Sequence, residues 1–176
     1  MRLLKKGLVG KKVISAVAAL AVVSGLSIIS ASAGSNIIPL MTSNSSIYGT
    51  AYASSEWATH DAYKAFDHDN STYWSTSSGV YGELRFTFPT SKRVTSYTVR
   101  TSSEPLGNVP KTWTLQGSNN GSSWTVLATE SNWLYPNFTY GPFLTTTSGD
   151  YTMYRLVITA NNGAYSTSVA EVQMFE

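Results

Sequence analysis

The chain has 176 residues, with twelve Lys and Arg against ten Asp and Glu, 42% apolar residues and no cysteine. A disulfide-stapled fold and a cysteine-anchored lipoprotein are therefore excluded. Five of the twelve bases (Arg2, Lys5, Lys6, Lys11 and Lys12) precede every acid, so residues 34–176 keep seven bases against ten acids, a net charge of −3. That balance leaves no basic footprint for nucleic acid.

An apolar run from Val13 to Ile29 follows the basic stretch, and small residues then take over, which is the three-part layout of a secretory signal. Ala31-Ser32-Ala33 supplies an A-x-A site, predicting a leader over residues 1–33 and a secreted or cell-surface mature chain that starts at Gly34. The alternative is a retained anchor, because the run approaches the length of a bilayer span. Ser24, Gly25, Ser27 and Ser30 dilute the run and favour cleavage. Residues 34–176 are enough for one domain with its own core.

Beyond the leader no apolar period of 3.6 is sustained. Gly34 to Met41 reads as an extended lead-in, and Ala58 to Phe66 as a short helical turn with Ala62, Ala65 and Phe66 on one face. Alternation follows: Leu84, Phe86 and Phe88 oppose Glu83, Arg85 and Thr87, and Tyr97 and Val99 oppose Thr98 and Arg100. Trp113 and Leu115 alternate with Thr114 and Gln116, and Tyr154, Leu156 and Ile158 with Arg155 and Thr159. These are half-buried strands, and their spacing by Gly, Asn, Ser and Pro makes the chain an all-β sandwich or barrel. A hairpin is predicted between Thr112 to Gln116 and Trp124 to Leu127, with Asn120-Gly121 as the two positive-φ residues of a tight turn. Trp74, Trp113 and Trp124 are expected in the core, and Trp133, Tyr135 and Tyr140 as packing beneath a long loop.

Asp67-x-Asp69-x-Ser71-Thr72 gathers hard oxygen donors within one short loop, as calcium requires, or else forms a solvated Asx-rich turn. An EF-hand is excluded, since the sixth position is Thr72 rather than Gly and the twelfth is Ser78 rather than Glu.

Five strings together carry a resemblance: Lys64-Ala65-Phe66-Asp67, Thr72-Tyr73-Trp74, Pro110-Lys111-Thr112-Trp113, the stretch from Gln116 to Trp124, and Ala170-Glu171-Val172. In order and spacing the set resembles the discoidin, or coagulation factor 5/8 type C, family, including the family 32 carbohydrate-binding modules. The resemblance implies an eight-stranded antiparallel jelly-roll-like β-sandwich with ligand-binding loops at one end and a structural cation. Carried over, the cation would be Ca²⁺, held by the Lys64 carbonyl, the Asp67 carboxylate, the Asp69 carbonyl, Thr72, the Ala170 carbonyl and the Glu171 carboxylate. The chain departs from the blood-clotting and receptor branch, where a disulfide commonly ties the termini. Phospholipid is accordingly not the expected partner, and the sugar-binding branch is favoured.

A sugar site pairs a flat aromatic face with a few polar groups. In loops of the kind the resemblance points to, the candidates are Trp57 and His60 before the acidic loop, Tyr81 before the Leu84 strand, Arg100 and Asn108 bounding the next loop, and Tyr165 near the C-terminus. The expected function is a non-catalytic, lectin-like module that docks to cell-surface or cell-wall glycan or to polysaccharide, either gaining strength by assembly into homo-oligomers or doing a job that needs only modest affinity. The alternative is an adhesive surface or appendage subunit that contacts protein. A hydrolase is disfavoured: there is no cysteine nucleophile, HExxH, phosphate-binding glycine loop or G-x-S-x-G.

Mass spectrometry of the exported protein should find Gly34 as the first residue; an intact leader would contradict the cleavage and support the anchored alternative.

Overall fold

Alternation turns into two stacked sheets, because each apolar face needs another to cover it. The computed structural model describes residues 34–176; the leader predicted over residues 1–33 lies outside the described residues. In chain order the strands are β1 (Ser45–Ser46), β2 (Gly49–Ala53), β3 (Trp74–Ser75), β4 (Gly82–Lys92) and β5 (Ser96–Thr101). There follow β6 (Pro110–Ser118), β7 (Thr125–Ser131), β8 (Thr139–Leu144), β9 (Tyr151–Asn161) and β10 (Ser168–Phe175). One sheet has six strands in the order β1-β2-β4-β9-β6-β7, and the other has four in the order β3-β10-β5-β8; every neighbouring pair is antiparallel. The eight strands expected correspond to the eight of five residues or more, and the two-residue β1 and β3 bring the total to ten.

Leu84, Phe86 and Phe88 of β4, Trp113 and Leu115 of β6, and Tyr154, Leu156 and Ile158 of β9 all point inward and are buried. Tyr97 and Val99 of β5 and Val169, Val172 and Met174 of β10 meet them from the second sheet. Even the polar tips inside are satisfied: Trp113 Nε1 donates to the Tyr97 hydroxyl at 3.0 Å. The lead-in plugs the side of the sandwich with Ile38 and Met41, and the Ile37 N–H bonds the Met174 carbonyl at 2.9 Å.

Three local expectations are corrected. The helical turn is a single 3₁₀ turn over Ala62–Ala65, because Ala62 and Ala65 are sealed in the core and the chain must turn at once into the acidic loop. Trp124 does not enter the core; it lies half-buried on the outer sheet face, where the Arg155 guanidinium stacks 3.9 Å above its ring and pairs with Glu83 at 2.7 Å. The β6–β7 connection is six residues long, 119–124, and not a two-residue turn.

In that connection only Gly121 has positive φ, at 70°. Asn120 acts through its side chain, whose Oδ1 accepts the Ser122 and Ser123 N–H groups at 2.9 Å each, while Ser118 Oγ accepts those of Asn120 and Gly121. A Cβ on Gly121 would approach only the Met153 sulfur, at 3.5 Å, so backbone conformation rather than space resists substitution. Gly121→Val should therefore cost ~1 kcal/mol or more in chemical denaturation, since a β-branched residue is poorly accommodated at positive φ. An unchanged midpoint would contradict it.

Candidate functional site

The start of β10 organises one end of the sandwich. Ser168 pairs with Ser75 and Val169 with both Trp74 and Thr101, so β3 and the end of β5 flank it on either side. The residues just outside these pairs must converge: Tyr73 precedes β3, Glu104 follows β5, and Tyr165 and Ser166 precede β10. With Trp57, His60, Ser75 and Ser77 they line a cavity of about 250 Å³. That is small beside enclosed ligand pockets and suits a shallow site open to solvent.

Each wall has an identifiable support. The Trp57 N–H bonds the Ser75 carbonyl and the His60 N–H the Trp57 carbonyl, closing a tight turn over Ala58, which is held at a φ of 49°. Trp57 is thereby fixed to the edge of β3 with 56% of its surface exposed. His60 stacks on Tyr73 with ring centroids 4.2 Å apart, and its Nδ1 lies 3.2 Å from the Tyr73 carbonyl. Because a carbonyl only accepts, this contact uses the Nδ1–H, and Nε2 has no partner among the described residues. The Tyr73 hydroxyl donates to Glu104 Oε1 at 2.5 Å. Burial first, and then the bond to Glu104 and its charge, push the phenol up to about 12, so it remains a neutral donor. Tyr165 stands out at the rim, 74% exposed.

Of the residues expected from sequence, Trp57, His60 and Tyr165 meet in this cavity. Asn108 stands behind it: its Nδ2 donates to both the carbonyl and the hydroxyl of Ser166, fixing a lining residue. Tyr81 is exposed but not part of the lining, and Arg100 is turned along the second sheet toward Asn137 and Thr139. Tyr73, Ser75, Ser77, Glu104 and Ser166 were not anticipated. Strand parity could have revealed Tyr73, since Trp74 faces the core and its neighbour must face away.

Trp133 and Tyr135 differ from expectation as well. Only Tyr140 packs against the core; Trp133 and Tyr135 are more than half exposed, together with Phe138 and Leu144. The loop that carries them is anchored by the buried Leu134 side chain, by the Asn132 N–H on the Lys111 carbonyl and by Asn162 Nδ2 on the Leu134 carbonyl, and Trp133 and Tyr135 on either side of Leu134 are left outside.

The acidic loop lies directly before Tyr73. Thr72 Oγ1 donates to Asp67 Oδ2 at 2.6 Å and sits 3.2 Å from the Asp69 carbonyl and 3.4 Å from that of Lys64. The Asp69 carboxylate turns aside to accept from Ser71, so its carbonyl rather than its side chain faces this cluster. Glu171 is buried, with Oε2 accepting the His68 N–H at 3.0 Å and Oε1 left without a partner. Burial, then the charges of Asp67 and Asp69, push its carboxyl up to about 8. The β5–β10 register shifts between Val169 and Glu171, taking Ala170 out of step in the manner of a bulge. Among the described residues no three His, Cys, Asp or Glu side chains converge. An ion here would rest on two carboxylates plus carbonyl and hydroxyl oxygens, a donor set that fits a hard cation.

Two antiparallel sheets with a pocket built from the loops at one end define a discoidin-like sandwich. The chain belongs to the F5/8 type C domain family, whose profile matches residues 50–172. Among solved structures it is similar to a family 32 carbohydrate-binding module of Clostridium perfringens in complex with GalNAc-β-1,3-galactose, at 23% identity and a TM-score of 0.63, covering 73% of this chain and 95% of that one. The family 32 module of NanJ from the same organism, in complex with galactose, matches at 20% identity and 0.63, covering 73% and 93%. A chitosan-binding module from a Paenibacillus sp. IK-5 chitosanase/glucanase matches at 22% identity and 0.62, covering 80% and 98%. No match was found among curated proteins.

If the Tyr73–Glu104 bond fixes the pocket wall, Tyr73→Phe should lower stability by about 1 kcal/mol, the usual worth of one such bond. Equal melting curves for the variant and the parent would show that the bond holds nothing in place.

Proposed function

We propose that this protein is an exported, non-catalytic carbohydrate-binding module that takes a sugar of a cell-surface or cell-wall glycan, or of a polysaccharide, in the pocket of Trp57, His60, Tyr73, Glu104 and Tyr165. The observation that carries this reading is the composition of the pocket: three aromatic side chains beside a carboxylate, an imidazole and three serines, on rigid strand ends. Ring faces cover the C–H side of a pyranose, and the polar groups bond its hydroxyls. The similar structures named above, solved with galactose and with GalNAc-β-1,3-galactose, support the same reading.

The lining holds a single carboxylate, Glu104, whereas glycoside hydrolysis uses a pair. This supports binding without catalysis. A shallow site gives modest affinity, so several copies, in a homo-oligomer or along a repeating polymer, would add strength through effective concentration. The exposed Trp133, Tyr135 and Phe138 of the β7–β8 connection favour a second reading, an adhesive subunit that uses these rings on protein.

Calcium belongs to the proposal. Lys64, Asp67, Asp69, Thr72, Ala170 and Glu171 would hold it, and its charge would offset the buried Glu171 carboxylate. Such an ion would tie the loop before Tyr73 to the final strand, standing in for the disulfide that a cysteine-free chain lacks.

A glycan array followed by calorimetry tests the sugar reading. Trp57→Ala should abolish or greatly weaken binding with little change in melting temperature, because Trp57 is more than half exposed. Retained binding would contradict the placement of the site.

For the ion, calcium a hundredfold above its dissociation constant should add ~2.7 kcal/mol of stability. Asp67→Ala and Glu171→Ala should each erase most of that increment in scanning calorimetry. Identical melting in chelator and in millimolar calcium would contradict the assignment.

A further inference from the structure

The charge inside the pocket selects among sugars. Glu104 is its only formally charged lining residue; no Lys or Arg reaches the cavity, and Glu104 makes no ion pair among the described residues. Oε1 of Glu104 is occupied by the Tyr73 hydroxyl, and Oε2 takes no hydrogen bond from the described residues. The proton on His60 Nδ1 is committed to the Tyr73 carbonyl, and Nε2 has no partner among the described residues. The faces of Trp57, Tyr73 and Tyr165 carry the negative side of the ring quadrupole, which attracts cations. Residues 34–176, at a net charge of −3, add a field of the same sign.

The carboxylate, the ring faces and the net charge all disfavour a carboxylated sugar, and a neutral hydroxyl that donates to the free Glu104 oxygen brings no positive charge to match them. An ammonium group, by contrast, offers three donors and a positive charge to a free carboxylate oxygen and to aromatic faces. We propose that the preferred ligand is an amino sugar with a free, protonated amine, as in a de-N-acetylated amino polysaccharide, with Glu104 as the residue that reads the amine. The inference rests on the sugar-binding reading of this pocket and narrows it to one chemical class.

The test is isothermal titration of the purified protein with three trisaccharides, of glucosamine, of N-acetylglucosamine and of galacturonic acid, at a pH where the amine is protonated. The glucosamine trisaccharide should bind about tenfold or more tighter than its N-acetylated form, the span of one charge-assisted hydrogen bond, and the uronate should not bind. Glu104→Gln keeps the shape and removes the charge; whatever it does to absolute affinity, the ratio of affinities for the glucosamine and N-acetylglucosamine trisaccharides should fall to about one. Added salt should weaken the amine complex selectively, which tests the same charge without any substitution. Equal affinity for the first two ligands, or an unchanged preference in Glu104→Gln, would overturn the amine inference while leaving the sugar reading in place. No binding to any trisaccharide, or to any glycan on an array, would overturn both.

Discussion

The structure depends on how a buried carboxylate is accommodated at the start of the last strand. Glu171 sits in β10 against the acidic loop, is almost wholly removed from solvent, and is met by one backbone N–H, that of His68. Its second oxygen is unpartnered, and the nearby charges are Asp67 and Asp69. Removing an isolated carboxylate from water costs several kcal/mol in real proteins, so the loop and strand stay together only if the charge is neutralised, by a proton or by a cation. The same constraint reaches the pocket through the covalent chain, because the Asp67 to Thr72 loop runs straight into Tyr73, Trp74 and Ser75. Whatever holds that loop against β10 therefore holds the His60–Tyr73 stack and the Tyr73–Glu104 bond.

Core packing and cavity lining are divided at β3. Trp74 fills the core and anchors its indole N–H on the Ser55 carbonyl, while Tyr73 and Ser75 on either side line the cavity. Across β10, Asn108 and Asn161 pin the segment that carries Tyr165 and Ser166 through side-chain bonds to backbone carbonyls. The site is thus built from loops, but each loop is short, tied to a strand end and braced from behind. Pre-ordering of this kind spares a weak ligand the entropy of arranging its own site.

Much of the fold was legible in the sequence because strand alternation leaves a period-two record, and Leu84 to Phe88, Trp113 to Leu115 and Tyr154 to Ile158 each kept it. Where sequence reading failed, the deciding partner was distant in the chain. Trp124 looked like core until Arg155 and Glu83, brought in by β9 and β4, covered it outside. Asn120 looked like a turn residue with positive φ, but its side chain replaces that geometry by capping Ser122 and Ser123. The site was half legible: Trp57, His60 and Tyr165 stood out as aromatic or titratable residues outside any alternating run. Tyr73 and Glu104 meet across thirty-one positions of sequence, a pairing set by the register of β3 and β5 on β10 and not by local pattern.

Sugar is proposed to bind at the end of the sandwich where β3, β5 and β10 converge, and not on the exposed rings of the β7–β8 connection. Two-dimensional ¹H–¹⁵N NMR during titration with a bound oligosaccharide tests it directly, since five tryptophans give five indole signals. The Trp57 indole and the backbone amides of His60, Tyr73, Ser75 and Glu104 should shift, while the Trp133 indole should stay in place. Movement of Trp133 with Trp57 and these amides unperturbed would contradict it.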